Sequence, residues 1–144
     1  MARKVIKACG GSVRGKTIAL LGLTFKPETD DMRDAPSLAI VAGLQDAGAK
    51  VRAYDPEGMK QAEPIMPTVD LAGSAYACAE GAHAVVIVTE WNAFRALDLD
   101  RLRKAMLSSG AAPVLVDLRN IYDAKTAAQY GFTYEGVGRA DAKV

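Results

Sequence analysis

A long polar loop, residues 22–37, carries the side chains with the clearest chemical potential, and it reads Gly-Leu-Thr-Phe-Lys-Pro-Glu-Thr-Asp-Asp-Met-Arg-Asp-Ala-Pro-Ser. Its two cations are Lys26 and Arg33, and it also contains four acids. An ammonium group and a guanidinium are suited to hold a phosphate or a pyrophosphate. The alternative is that both cations pair with neighbouring acids at the surface, where ion pairs contribute little.

The length of this loop favours the first interpretation. It connects an apolar run, residues 17–21, to a helix-period pattern that begins near Pro36, and this connection has about fifteen residues. Connections between a strand and its helix usually have about two to six residues, and much longer ones tend to be functional. We therefore expect an anion-binding site in this loop.

A third cation, Arg119, stands in a similar position. It belongs to the segment Asp-Leu-Arg-Asn, which directly follows the apolar run at residues 114–116. Asp117 and Asn120 could serve only to shape a turn, because both residue types favour turns. Arg119 has no such simple structural role, and we expect it to contribute to the same site.

The elements that must position these residues alternate between strand and helix patterns. The predicted strands are residues 17–21, 50–54, 68–70, 84–88, 114–116 and 132–135. The predicted helices are an opening stretch that ends at Gly10, a helix that starts at Pro36 and stops at Gly48, a short one near residues 58–63, and others at 74–80, from Asp98 or Asp100 to 107, and 123–130. Such alternation indicates an α/β fold, a Rossmann-like, doubly wound, mostly parallel sheet of about six strands with helices on both faces.

In a sheet of this kind, ligands bind beyond the carboxyl ends of the strands, where the strand order reverses. The long loop, the segment around Arg119 and residues 89–92 all follow strands, so we expect them to meet at one edge. Lys26, Arg33 and Arg119 would then face a common crevice suited to a diphosphate. For Trp91 and Phe94 we favour packing in the core or against a subunit over stacking on a base.

Catalytic and metal-binding patterns are not evident. The chain has two cysteines, Cys9 and Cys78, and one histidine, His83, which is too few for a structural zinc site, so we predict no metal. Cys9 precedes Gly-Gly-Ser and superficially resembles a nucleophile turn, but it has no base nearby in sequence, and we interpret the glycines as a helix cap. We expect Cys78 to be a small packing residue. The Gly-x-Gly-x-x-Gly dinucleotide pattern is also missing after the first strand.

Composition narrows the class of protein. The chain has 144 residues, half of them apolar, which predicts one domain with an ordinary core. Eighteen basic residues against seventeen acidic ones leave no basic field for a nucleic acid. Apolar runs are too short to span a membrane, and the first residues lack the apolar core of a signal peptide. We therefore expect a cytoplasmic protein.

Several motifs in order resemble one enzyme family. They are Gly-Lys-Thr-Ile-Ala-Leu-Leu-Gly at residues 15–22, the loop itself, Ala-Tyr-Asp-Pro at 53–56, Val-Ile-Val-Thr-Glu-Trp at 86–91 and Val-Asp-Leu-Arg-Asn at 116–120. Together they resemble the C-terminal UDP-binding domain of the UDP-glucose 6-dehydrogenase (UDP-glucose/GDP-mannose dehydrogenase) family. Sister enzymes that act on GDP-mannose or UDP-N-acetyl amino sugars share a looser form of the loop, so the resemblance is closest to the UDP-glucose branch.

The resemblance implies functions for individual residues. Family enzymes oxidise the sugar C6 alcohol to a carboxylate in two hydride transfers to NAD, through a thioester on a cysteine. By the motifs, Phe25, Lys26 and Arg119 imply contacts with the UDP-glucose substrate, and Arg33 implies a contact with NAD across the domain cleft. The Gly-x-Gly fingerprint and the catalytic cysteine segment have no counterpart, so Cys9 is not the family's nucleophile.

The resemblance also implies a domain organisation. Residues 1–14 correspond to the end of the connecting helix and a linker, residues 15–138 to the UDP-sugar-binding domain, and residues 139–144 to a tail. The partners implied are the family's N-terminal NAD-binding and central domains, in an intact enzyme that is a homo-oligomer. We expect the chain to be inactive by itself. The alternative is a stand-alone nucleotide-binding or assembly module.

Overall fold

The fold was analysed in a computed structural model, which describes residues 2–23, 36–56, 59–65, 68–89, 92–106 and 113–136. The helices in these ranges are α1 (Ala2–Ala8), α2 (Pro36–Asp46), α3 (Met59–Ile65), α4 (Ala75–Ala79), α5 (Asn92–Arg95), α6 (Leu99–Met106) and α7 (Ala124–Gln129). The strands are β1 (Thr17–Leu21), β2 (Lys50–Tyr54), β3 (Asp70–Leu71), β4 (Ala84–Ile87), β5 (Val114–Asp117) and β6 (Thr133–Gly136).

The six strands of the described ranges form one parallel sheet in the order β3-β2-β1-β4-β5-β6. The chain winds outward from β1 to β3, crosses back over the sheet, and then winds outward again from β4 to β6. The strand order therefore reverses between β1 and β4, which is the position at which doubly wound sheets bind ligands. The predicted fold class is confirmed.

Side chains of the central strands alternate between two cores, one on each face of the sheet. Ile18 and Leu20 of β1 join the first core, which α1 and α2 cover, whereas Ala19 and Leu21 join the second, which α4, α5, α6 and α7 cover. Strands β1, β4 and β5 are buried on both faces, which explains their continuous apolar sequences.

Helix starts follow the expected capping chemistry. The Ser74 hydroxyl accepts a 3.0 Å hydrogen bond from the Ala77 amide at the start of α4. Of the two acids expected to begin α6, Asp98 is the one in the capping position, because its carboxylate accepts a 3.2 Å hydrogen bond from the Arg101 amide. Asp100 instead pairs with cations further along the helix.

Three local predictions differ from the structure. The short helix expected near residues 58–63 is α3, Met59–Ile65, and it includes Pro64. Strand β3 is Asp70–Leu71 rather than residues 68–70. Helix α5, Asn92–Arg95, was not predicted, since four residues are too few to show a helical period. Among the helices that the structure describes, none combines the length and the apolar character needed to cross a bilayer.

Candidate functional site

The carboxyl ends of four strands lie side by side at one edge of the sheet, called the carboxyl edge below. Main-chain hydrogen bonds connect them just beyond the strands: Gly22 N to Tyr54 O at 2.8 Å, Val88 N to Leu21 O at 2.9 Å, and Leu118 N to Ile87 O at 3.0 Å. The exits of β2, β1, β4 and β5 are therefore neighbours in that order. The loops after β1, β4 and β5 therefore start at one edge, whereas the prediction that they meet there involves residues outside those that the structure describes.

The exits of β1 and β4 touch at Gly22. A Cβ atom at this position would lie 2.6 Å from Thr89 Cβ and 2.7 Å from Thr89 N and Oγ1, so only glycine fits. Its φ of +102° is also a conformation that side chains disfavour. Thr89 is fully buried. The absence of a side chain thus brings the start of the long loop against β4 at the point where the strand order reverses.

Both ends of the long loop are fixed at Leu23. Its amide donates a 2.6 Å hydrogen bond to Asp55 Oδ2, and its carbonyl accepts a 2.7 Å bond from the Ser37 hydroxyl. Asp55 is 1% exposed and Ser37 is fully buried. Buried polar groups are stabilised by such partners. Residues 23 and 37, near the two ends of the long loop, are therefore held together.

The turn after β5, residues 117–122, is organised around a buried carboxylate. Asp117 is fully buried, and its Oδ1 accepts a 3.2 Å hydrogen bond from the Arg119 amide. Its Oδ2 accepts bonds from the Tyr122 amide at 2.8 Å and from the Tyr134 hydroxyl at 2.9 Å. The interpretation of Asp117 as a turn-shaping residue is therefore confirmed. The Arg119 side chain is exposed beyond this turn, at the carboxyl edge.

Strand β6 supports the same turn in two ways. The Tyr134 hydroxyl lies 2.7 Å from the Tyr122 carbonyl oxygen as well as near Asp117, and its single proton can serve either acceptor. At Gly136, a Cβ atom would lie 2.9 Å from Asn120 Oδ1, so a glycine leaves room for that side chain. Asn120 itself has a φ of 55°, which asparagine tolerates better than most residues.

Aromatic residues connect the turn to the exits of β4 and β2. The Tyr122 hydroxyl donates a hydrogen bond to the Phe94 carbonyl in α5. Burial raises the pKa of the Tyr122 phenol to about 12, with a smaller contribution from the Asp117 carboxylate, so this donor stays protonated. The Phe94 ring is fully buried and meets Tyr54 edge to face, at 6.3 Å between centroids. Packing of Phe94 is thereby confirmed, whereas Trp91 lies outside the described residues.

Of the four residues predicted to bind ligands, one lies among the described residues and three lie outside them. Arg119 lies at the carboxyl edge, two strands away from β1, which corresponds to roughly 10 Å at the usual strand spacing. Phe25, Lys26 and Arg33 fall in residues 24–35, outside the described residues. The gathering of three cations around one crevice therefore stays a prediction. What the structure adds is that the loop with two of them starts and ends at the same edge as Arg119.

Groups that could perform catalysis are not assembled in the described part of the chain. Cys78 is buried, and burial raises the pKa of its thiol to about 12, so it packs rather than reacts. Burial also raises the pKa of the Cys9 thiol, which lies at the end of α1. The single histidine, His83, accepts a 3.3 Å hydrogen bond from the Thr17 amide. Within the described ranges, no three His, Cys, Asp or Glu side chains group into a possible metal site.

The sequence did not predict that three residues would support the carboxyl edge through hydrogen bonds: Ser37, Asp55 and Tyr134. Asp55 follows β2 directly, so the rule that selected Arg119 would have selected it too. Ser37 and Tyr134 lie in elements rather than after strands, and their sequence neighbourhood gives no signal. Their partners are 14 and 17 residues away along the chain.

A separate cleft of about 300 Å³ lies near the opposite edge of the sheet. Its lining includes Thr17 and Lys50, which begin β1 and β2. Arg52, also in the lining, is already bound to the carbonyl oxygens of α4 and to Asp70. This cleft contains none of the residues of the carboxyl edge, so we do not assign the candidate site to it.

Comparison with known proteins points to one family. A family model described as "UDP-glucose/GDP-mannose dehydrogenase family, UDP binding domain" matches residues 19–124. The chain is 56% identical over 141 residues to a UDP-glucose 6-dehydrogenase of Rhizobium meliloti, a match that covers 98% of this chain and 31% of that relative. The chain therefore spans about a third of the length of this curated relative.

Solved structures give the same result. The chain is similar to an NDP-N-acetyl-D-galactosaminuronic acid dehydrogenase from Methanosarcina mazei, with 27% identity and a TM-score of 0.84 over 97% of this chain and 29% of that one. It is also similar to a UDP-glucose dehydrogenase from Pyrobaculum islandicum, with 28% identity and a TM-score of 0.75 over 96% of this chain and 29% of that one.

Proposed function

Because the chain belongs to the UDP-glucose/GDP-mannose dehydrogenase family, in which it corresponds to the UDP binding domain, we propose that it binds the nucleotide of UDP-glucose for an NAD-dependent UDP-glucose 6-dehydrogenase. In that enzyme the sugar C6 alcohol is oxidised to the carboxylate of UDP-glucuronate, and two NAD are reduced. The present chain supplies nucleotide recognition, and the hydride acceptor and the nucleophile belong to the rest of the enzyme.

The observation that carries this proposal is the organisation of the carboxyl edge. Asp55 and Ser37 fix both ends of the long loop at Leu23, and Asp117 fixes the turn that presents Arg119. A diphosphate needs several donors and positive charges from one side. The edge is constructed to present them from two separate loops, at the position where doubly wound sheets bind nucleotides.

Individual roles follow from the resemblance of the motifs to those of the family. Phe25 and Lys26 contact the substrate from the long loop, and Arg119 contacts it from the turn after β5. Arg33 reaches NAD, which the N-terminal domain mainly binds. This assignment agrees with Arg119 at the carboxyl edge and with the lack of an assembled catalytic group among the described residues.

The remaining features belong to the whole enzyme. The partners of this chain are an N-terminal NAD-binding domain and a central helical region, in a cytoplasmic homo-oligomer. The connecting helix and linker correspond to residues 1–14, the UDP-sugar-binding domain to residues 15–138 and the tail to residues 139–144. We expect the chain to be inactive by itself, because its sequence has no counterpart of the dinucleotide fingerprint or of the family's catalytic cysteine segment.

A chimeric enzyme tests the proposal. Residues 1–144 replace the matching C-terminal part of the Rhizobium meliloti relative, to which they are 56% identical, and NADH formation is followed with UDP-glucose. We expect the chimera to be active, and we expect Lys26→Ala or Arg119→Ala in it to raise the KM for UDP-glucose about tenfold, the usual effect of losing one charged hydrogen bond.

The chimera also separates the two function classes. A stand-alone nucleotide-binding or assembly module would give a folded chimera that forms no NADH with UDP-glucose. Activity with GDP-mannose or a UDP-N-acetyl amino sugar, and none with UDP-glucose, would instead move the chain to a sister branch of the family. An Asp46→Asn variant, changed at an exposed residue at the end of α2, serves as the matched control and should keep full activity.

A further inference from the structure

The turn after β5 is organised around the Asp117 carboxylate. Three donors converge on the Asp117 carboxylate: the amides of Arg119 and Tyr122, and the hydroxyl of Tyr134. A fully buried carboxylate is unfavourable unless such donors satisfy it. Because two of the donors are main-chain amides of the turn, the same bonds that stabilise the carboxylate also fix the path of residues 117–122.

The fixed main chain leads to an exposed side chain. The Arg119 amide donates to Asp117, while its side chain is exposed at the carboxyl edge. An arginine side chain has several rotatable bonds, and holding its Cα in place removes part of the freedom that binding would otherwise have to remove. Preorganisation of this kind raises affinity without adding a contact to the ligand.

Tyr134 has a feature that core packing alone does not require. Its ring joins the second core, where phenylalanine would fill the same space. Its hydroxyl, however, is placed between Asp117 Oδ2 and the Tyr122 carbonyl oxygen. The hydroxyl therefore connects strand β6 to the turn, although β6 itself has no residue in the proposed nucleotide site.

We propose that Asp117 and Tyr134 are positioning residues for nucleotide binding, which hold the turn after β5 so that the Arg119 guanidinium faces the diphosphate. The inference rests on the proposed function, since it requires that Arg119 binds the nucleotide. Neither Asp117 nor Tyr134 touches the ligand. Their effect on affinity passes through Arg119 alone.

A double-mutant cycle measures that dependence. UDP is titrated into the ¹⁵N-labelled chain with its natural sequence, and into the Arg119→Ala, Tyr134→Phe and doubly substituted chains, and dissociation constants are taken from amide shifts. We expect Arg119→Ala to weaken binding about tenfold and Tyr134→Phe about threefold to fivefold, and we expect Tyr134→Phe to have no effect when Arg119 is already alanine. Tyr130→Phe removes a hydroxyl from a tyrosine that is 42% exposed, and this matched control should bind like the unaltered chain.

The outcomes distinguish the two proposals. If Arg119→Ala does not weaken UDP binding, the proposed nucleotide site is wrong, and the positioning role falls with it. If Arg119→Ala weakens binding but Tyr134→Phe does not, only the positioning role is wrong. A loss caused by Tyr134→Phe that persists in the Arg119→Ala background would show a general structural effect and would also overturn the positioning role.

A measurement on the unaltered chain tests the positioning role even if a variant fails to fold. Coupling between two sites is reciprocal, so if the fixed turn favours UDP, bound UDP must favour the fixed turn by the same factor. Hydrogen exchange of the Arg119 and Tyr122 amides should therefore slow about threefold to fivefold at saturating UDP. Unchanged exchange at both amides, with UDP demonstrably bound, would contradict the inference.

Discussion

Cys78 shows how a single side chain makes the stability of this fold depend on pH. Its thiol is fully buried and points to the Leu20 carbonyl oxygen at 3.6 Å. Burial raises its pKa to about 12, an effect that the nearby Arg52 charge only partly offsets. In the unfolded chain the same thiol loses its proton at the ordinary, lower pH. Alkaline solution therefore favours the unfolded state, and the stabilising contribution is complete only below the ordinary pKa.

The raised pKa of the Cys78 thiol predicts a loss of stability in alkaline solution. Between about pH 8.5 and pH 10 the free energy of unfolding should fall by on the order of 1 kcal/mol per pH unit, and Cys78→Ala should remove most of this slope. Urea unfolding at a series of pH values measures it. Cys9→Ala is the matched control, because Cys9 is only partly buried, and it should leave most of the slope in place. A slope that survives in Cys78→Ala would mean that another group titrates.

Some residues of the candidate site could be predicted from the sequence and others could not, because only some of them have a local sequence signal. Arg119 and Asp117 could be found because they follow an apolar strand directly, and the carboxyl ends of parallel strands share one edge. The pairing of Asp55 with Leu23 could not, since it joins residues 32 positions apart and depends on the order of strands β1 and β2. From the sequence, Tyr134 would be expected only to pack in the core. The position of its hydroxyl in the structure shows that it also supports the turn.

Helices and strands could be predicted where a pattern within their own sequence indicates them. Strands β1 and β2 have the bounds expected from their apolar runs, Thr17–Leu21 and Lys50–Tyr54. Helix α2 begins at Pro36 as expected, because proline suits the first helical position. In contrast, α5 is stabilised by Phe94 in the second core and by the bond from Tyr122. Those tertiary contacts leave no periodic pattern in a four-residue segment.

One contact between elements depends on a missing side chain. Helices α1 and α2 approach so closely that a Cβ atom at Gly43 would lie 2.6 Å from Ala2 Cβ. Glycine inside a helix costs about 1 kcal/mol relative to alanine, so its presence in the middle of α2 is unfavourable for the helix alone. The close packing of α1 is the compensating gain.

Gly43→Ala should therefore destabilise the chain even though it improves helix propensity. We expect a loss on the order of 1–2 kcal/mol in the free energy of unfolding, as overpacking usually gives, and we expect the second change Ala2→Gly to restore most of it. Chemical denaturation of the single and double variants measures both effects. The neighbouring Ala42 is exposed, and Ala42→Gly should cost about 1 kcal/mol from propensity alone. If Gly43→Ala stabilises the chain, α1 does not pack on α2 as described.

At the scale of the whole molecule, α1 packs on the first core where that core extends over β4 and β5. Helix α2 covers the first core over β1 and β2, whereas Val86 of β4 and Val116 of β5 share that core with Val5 of α1. Val5 is fully buried, with 0% of its surface accessible to solvent. The Lys16 ammonium group also donates a 2.9 Å hydrogen bond to the Cys9 carbonyl, which ties the end of α1 to the start of β1.

This arrangement predicts the behaviour of a chain that begins at residue 15, the boundary that family resemblance suggests for the UDP-sugar-binding domain. Removing Val5 and Val13, both at most 1% exposed, withdraws roughly 3–6 kcal/mol of apolar burial, comparable with the whole stability of many domains, about 5–15 kcal/mol. We therefore expect the shortened chain to lose its cooperative thermal transition and to bind a hydrophobic dye. Val5→Ala should lower the free energy of unfolding by on the order of 2 kcal/mol, whereas Lys7→Ala, at an exposed position of the same helix, should change it little. A shortened chain that melts cooperatively at the original temperature would show that α1 is a linker, and that the sheet folds without this cover.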